Sequence, residues 1–370
     1  MTTLAMPREL LRQAQTVADG FTAHTGVGVD ATELLTGRAD QLGIAPQGQI
    51  SAGGATRLLP TRDGWCALTL SRPDDIASIP ALLQDVSVDP DPWPAIGAWA
   101  ARHSAEDVAA RARLLGLPAG VLGETVPAPP MVSPLGPAQA GSLAGVLVAD
   151  LSSMWAGPLC GQLLSRAGAT VVKVESPNRP DGTRAGAREF FDWMNGGKLS
   201  YAVDFDDSRD LAALLGVADV VIEASRPAAL VRRGLGPVGV APRPGRIWLR
   251  ITGHGTVGEK ADWVAFGDDA AVSGGLVGYR RGAPVFIGDA IADPLTGLHA
   301  AAAVADSRGR GGGELIEFSM AAVAAGYASR SGDETDVIGV RPAAGLPGRE
   351  LGSDNDVVRR LVAERNDAPC

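Results

Sequence analysis

The sequence predicts an α/β protein, with a doubly wound, mostly parallel sheet in a Rossmann-like large domain and a smaller α+β domain beside it. Two observations lead there. Short apolar runs alternate with helix-period segments through the second half of the chain. The first third instead has helical stretches around a single turn-punctuated pair of apolar runs. A proline-rich segment separates the two textures. The chain has 370 residues, enough for two domains at roughly 150 residues each. The expected division is a small domain over residues 1–123, a linker over 124–144, a large domain over 145–330 and a C-terminal tail over 331–370.

The first segment opens with a helix, because Leu10, Leu11, Ala14 and Val17 recur at three- and four-residue steps. Gly53 and Gly54 then interrupt the chain, and Asp63-Gly64 separates two apolar runs, which predicts a β-hairpin. Helices are expected around Pro80–Gln84 and across Trp93–Leu115. Residues 124–144 carry five prolines and little charge, a composition that suits a semi-rigid linker. Beyond them GVLVADL, TVVKVE, SYAVDF, ADVVIEAS, RIWLRIT and ELIEF are strand candidates, with helices between them.

Lys and Arg number 33 against 42 Asp and Glu, a net charge of −9. Without a dense basic block this balance argues against nucleic acid or a membrane surface as partner. It leaves room for one anionic small molecule. Cys66, Cys160 and Cys370 are too scattered for a disulfide framework or a zinc site, and no His spacing suits a metal. A reducing, cytoplasmic location is the natural reading. No apolar run approaches the roughly 20 residues that span a bilayer.

Ligands of open α/β sheets bind beyond the carboxyl ends of the strands. After the first strand, Pro158 and its small neighbours open a helix whose amides can face a phosphate, or else form a plain turn. Glu175 stands where a ribose-binding acid would, but GxGxxG is missing and NAD is disfavoured. After the second strand Arg179, Arg184 and Arg188, with Lys173 and Lys198, form either an anion grip or a solvated loop. Arg226, Arg232 and Arg233 stand at and along a helix start, against its dipole, which hints at a bound anion. Cys160 reads as a buried thiol, with a lowered pKa as the alternative, and His299 as a packing residue. Asp293 is a ready N-cap with Pro294 at the first helical position. A carboxylate there stays ionised and can attack a thioester.

Taken together, VLVADLSSMWAGPLCGQLLSRAGATVVKVESP, WMNGGKLSYAVDF, ADVVIEASRPAALVRRGLG, ITGHGTVG and GDAIADPLTGLHAAAA resemble the class III (CaiB/BaiF-type) coenzyme A transferases. That family includes formyl-CoA and carnitine-CoA transferases and the α-methylacyl-CoA racemases. The resemblance implies that Asp293 is the nucleophile and that Trp155 and Ala156 touch CoA. It puts Val203 against the adenine, Ala224, Ser225 and Arg226 in the CoA loop, and Arg232 on the phosphates. Ala224-Ser225 stands where transferases often carry Asn-Phe. Ser176 replaces a CoA-contacting arginine, with Arg179 or Arg226 as candidate substitutes.

GGATRLLPTRDGWCALTL resembles the hairpin of the family's small domain, which would place Gly53 and Gly54 over the site as a flap. That domain precedes the large one here, as if circularly permuted, and ELGSDNDVVRRLVAER resembles the family's C-terminal piece. The implied reaction moves CoA from an acyl-CoA donor to a carboxylic acid acceptor through aspartyl-anhydride and aspartyl-CoA intermediates. CoA serves as substrate, with no permanently bound cofactor, and a homodimer is expected. Two rivals stay open. One is racemase or epimerase activity, for which the partner histidine's place aligns with Ala265 and only Asp268 and Asp269 stand near. The other is a non-catalytic acyl-CoA binder.

Overall fold

The computed structural model describes residues 2–85, 89–207, 209–328 and 334–367, so Cys370 and both ends of the expected tail lie outside the described residues. At the centre is a seven-stranded sheet. Its parallel strands are, in chain order, Leu147–Asp150, Thr170–Glu175, Leu199–Ala202, Val220–Glu223, Ile247–Thr252 and Glu314–Ser319. Across the sheet they run third, second, first, fourth, fifth, sixth, which is the doubly wound order with its switch point between first and fourth.

The strands are continuous apolar runs because both faces are covered. Val148, Val220 and Ile222 face a core built with helices Arg8–Thr25, Ala156–Arg166 and Ala292–Arg310. Leu147, Ala149 and Val221 face the other way, onto helices Arg209–Val217 and Asn355–Asp367.

Residues 124–144 do more than link. Met131–Pro134 forms the seventh strand, antiparallel to Glu314–Ser319. Its prolines concealed it, yet an edge strand tolerates proline because half its amides need no partner. Packing also divides residues 1–123 differently from the sequence reading. Leu4, Leu10, Phe21 and Leu35 join the large-domain core, and Thr3–Pro7 pairs with Glu334–Ile338. Leu59, Leu68, Ile96, Val108 and Leu117 make a separate small core.

There the expected hairpin is present as Thr56–Pro60 and Trp65–Thr69, extended by Ala119–Val121. The helix expected across Trp93–Leu115 is two, Trp93–Ala100 and Ala105–Leu114, the second capped by the Ser104 side chain. The tail is bound to the sheet, since Asp354 and Asn355 accept from the amides of Ser200 and Ala202. No described helix is long and apolar enough to cross a membrane.

Candidate active site

A cavity of about 260 Å³ opens where the helix Gly267–Ser273, the hairpin and the carboxyl end of the first strand converge. Asp293, Asp268, Arg38, Trp155, Phe190, Thr56 and Gly53 all line it. Asp293 sits in the first turn of Ala292–Arg310, one position inside the helix. The N-cap is Ile291 rather than Asp293, because the chain already turns at Gly288–Ala290 and Asp293 N–H bonds Ala290 O at 2.9 Å. Its carboxylate is therefore free to face another helix start. The Ala156 amide, first in its helix, donates to Asp293 Oδ1 at 3.4 Å. So the amide that seemed free for a phosphate is directed at the carboxylate.

The Gly267 amide donates from the other side. Gly267 has no room for a side chain: a Cβ would lie 2.5 Å from Asp293 Oδ2 and 2.2 Å from Ala290 O. Burial pushes the Asp293 carboxyl up to about 6, while the Ala156 amide, Arg38 and the Gly267 amide draw it back. At pH 7 it remains mostly ionised, a nucleophile more basic than an exposed aspartate.

Arg38 is the cation of this cavity. Its Nη1 donates to Asp289 Oδ1 at 2.6 Å, and its guanidinium lies over the Trp155 and Phe190 rings at 5.5 and 5.3 Å. Asp289 is wholly buried, its other oxygen has no partner among the described residues, and burial raises its pKa. The sequence reading missed Arg38, which lies far from Asp293 along the chain. Its one signal was position: Arg38 follows Leu34 by four residues and Leu35 by three, on the buried face of Ala31–Leu42. Met154 and Ala290, two of the four described non-glycine residues with positive φ, also line the cavity. Strain of this kind persists where the surroundings hold a functional geometry in place.

The other expected residues occupy the carboxyl edge of the sheet. Gly53 lines the cavity, with Gly54 beside it at φ 77°, in the turn leading into the hairpin. Val203 is buried and its amide donates to Glu175 O at 3.0 Å. Ala224 and Arg226 are exposed, and Ser225 is half-buried. Arg232 is exposed at the end of the four-residue helix Ala228–Val231 rather than along its first turns, so the supposed misfit does not apply to it, whereas Arg226 stays just ahead of the N-cap Pro227.

The cluster expected as an anion grip is largely spoken for. Lys173 pairs with Asp181, Lys198 with Asp150, Arg184 with Glu175, and Arg188 with Asp192 and Glu350. Glu175 is thereby the partner of Arg184 rather than a ribose ligand. Arg179, Arg226 and Arg232 make no side-chain ion pair among the described residues. Cys160 is buried and burial raises its pKa, which rules out the lowered value; burial likewise pushes the Cys66 thiol up to about 12. His299 bonds the Tyr327 hydroxyl at 2.9 Å. Ala265 packs against Gly253.

A doubly wound sheet binds its ligands beyond the carboxyl ends of its strands, and the amide-held carboxylate stands there. The model of CoA-transferase family III matches residues 143–343, more than half of the chain, and the protein belongs to that family. It is 33% identical over 184 residues to the succinate–glutarate CoA-transferase of Agrobacterium fabrum, covering 44% of this chain and 46% of that one. It is likewise 33% identical over 174 residues to a formyl-CoA:oxalate CoA-transferase of Rhodopseudomonas palustris, covering 43% and 41%. A CAIB/BAIF family protein from Brucella suis, known from its crystal structure, is 31% identical over 51% of this chain and 55% of that one, with a TM-score of 0.46. The chain spans about half the length of the curated relatives it matches.

Proposed function

We propose that the protein transfers coenzyme A from an acyl-CoA thioester to a carboxylic acid, with Asp293 as the nucleophile. The observation that carries this reading is a buried carboxylate held between two backbone amides in a cavity lined by aromatic rings. Asp293 attacks the thioester carbonyl, giving an acyl-aspartyl anhydride and CoA thiolate. The thiolate returns to form aspartyl-CoA and frees the donor's acid, and an acceptor carboxylate then takes the CoA.

Trp155 and Ala156 border the reacting centre. Gly53 and Gly54 close over it and keep water from the anhydride; Gly53 offers its amide to the oxyanion, whereas the Gly54 amide, expected to share that role, is held by Ser51 O at 2.9 Å and fixes the turn. Val203 meets the adenine through its carbonyl, Ala224, Ser225 and Arg226 flank the CoA chain, and Arg232 takes the phosphates. A reducing, cytoplasmic setting fits a chain whose described cysteines are free and buried, and a homodimer is the assembly the family resemblance implies.

A second reading, epimerisation at the α-carbon of an acyl-CoA, draws on one observation: Asp268 shares the cavity with Asp293. Trapping separates the two. With a panel of acyl-CoAs and hydroxylamine, transfer yields a hydroxamate on Asp293, mapped by mass spectrometry and absent from Asp293→Ala. No adduct, but α-proton exchange in deuterated water, sinks the transferase reading in favour of the epimerase.

A further inference from the structure

Four oxygen atoms stand in line between the cavity and the interior. Asp268 Oδ2 lies 3.4 Å from Thr56 Oγ1, Thr56 Oγ1 lies 2.9 Å from Thr69 Oγ1, and Thr69 Oγ1 lies 2.9 Å from Asp269 Oδ1. The threonines face one another in register on the two hairpin strands, so the backbone fixes their spacing. Asp268 lines the cavity with Asp293, whereas Asp269, on the next helical position, is wholly buried.

Three hydrogen bonds need three hydrogens, and two hydroxyls supply only two. The chain therefore closes when one of the two carboxyl groups is protonated. With the proton on Asp268, both hydroxyls point toward Asp269; with it on Asp269, both point toward Asp268. We propose that Asp268 and Asp269 share one proton through Thr56 and Thr69, and that Asp268 is a second catalytic group, delivering this proton to the oxyanion.

The step rests on the transferase reading and balances. Asp293 Oδ forms a bond to the thioester carbon as the carbonyl electron pair moves to oxygen, and that oxygen takes the Asp268 proton. On collapse the proton returns, the carbonyl reforms and the C–S bond breaks to release CoA thiolate. No outside acid or base is consumed.

The charged groups facing Asp268 are Arg38, Asp289, Asp293 and Asp269, and the Ala290 amide donates to its Oδ1 at 3.0 Å. Asp269 Oδ1 accepts from the Phe266 amide at 3.0 Å, its other oxygen has no partner among the described residues, and behind it lie Cys66 and the Arg113–Glu124 pair. Burial pushes both aspartates up to about 7. Activity then rises as Asp293 ionises near 6 and falls as the shared proton leaves near 7, an apparent pair of values belonging to the coupled groups.

Thr69→Val tests the relay. Without Thr69 as acceptor, the Thr56 hydroxyl turns onto Asp268 and favours its ionised form. The expected result is an about tenfold fall in kcat with the alkaline limb moved to lower pH, both restored by Thr69→Ser. A fall in kcat with an unmoved limb overturns the proposal.

A second measurement does not depend on activity. Infrared difference spectra of the protein alone, between mildly acid and alkaline pH, should show a protonated-carboxyl band that Asp268→Asn and Asp269→Asn each alter. If neither changes it, the proton is not shared. Absence of the Asp293 adduct in wild type would fail the transferase reading while leaving this band to be read.

Discussion

Lys173, Lys198 and Arg184, and the trio Arg179, Arg226 and Arg232, come from neighbouring stretches of chain around the same end of the sheet. They differ in everything else. The first three are buried or nearly so, each against one carboxylate at 2.6–2.8 Å. The second three are exposed and have no ion-pair partner among the described residues. Burial decides what a cation can be used for: a desolvated charge must be neutralised within the fold, and only a solvated one remains free for a ligand.

Lys198→Met gives the largest effect expected from this contrast. Lys198 Nζ holds Asp150 Oδ2 at 2.8 Å, and also Pro158 O and Asn195 Oδ1. Burial alone would raise the Asp150 pKa, but Lys198 and Lys173 outweigh it and hold the carboxyl below its usual range. Removing Lys198 strands that charge, at about 3–5 kcal/mol by chemical denaturation. CoA affinity measured by calorimetry on the folded fraction should stay unchanged. A loss of affinity would show that the buried cations reach the ligand, and the contrast would break.

Gly267→Ala comes next and tests whether the inner cavity tolerates any movement. The new methyl meets the Asp293 carboxylate and the Ala290 carbonyl, both within 2.5 Å. One of them must shift, and a misplacement near 1 Å costs on the order of a hundredfold in rate. Hydroxamate formation on Asp293 should fall by about that factor, while overpacking costs about 1–3 kcal/mol of stability. Retained reactivity would mean that the amide and the carboxylate are not held in one geometry.

How much of this could be read from sequence follows the same division. The sheet was legible because buried parallel strands are unbroken apolar runs; the local pattern at Asp293 marked a helix start but misplaced the cap, which is Ile291. Residues whose role depends on distant partners were not. Met131–Pro134 looked like a linker because strand pairing leaves little trace in an edge segment rich in proline. Thr3–Pro7 pairs with Glu334–Ile338, more than three hundred residues away. Arg38 takes its meaning from Asp289, 251 positions later. The paired lysines were pooled with the free arginines because sequence records charge and says nothing of solvation.

The exposed arginines should give the smallest effects and the sharpest discrimination. Arg179→Gln, Arg226→Gln and Arg232→Gln remove solvated charges that contact no carboxylate, so each should leave stability within about 0.5 kcal/mol. Against CoA each should raise Kd about two- to fivefold, and the difference from wild type should shrink as salt screens the phosphates. The three need not be equal. Ser176 leaves the second strand without a cation at its end, and Arg226 reaches toward Gly116 of the small core, its Nη2 3.9 Å from where a Cβ there would stand. If Arg226→Gln weakens CoA more than Arg179→Gln, the cation is supplied from across the switch point, by the fourth strand rather than the second. The reverse order assigns the role to Arg179, on the loop that Ser176 begins. If none of the three alters Kd or its salt dependence, the exposed rim is not the nucleotide end, and solvated charge at the sheet edge does not mark a ligand in this fold.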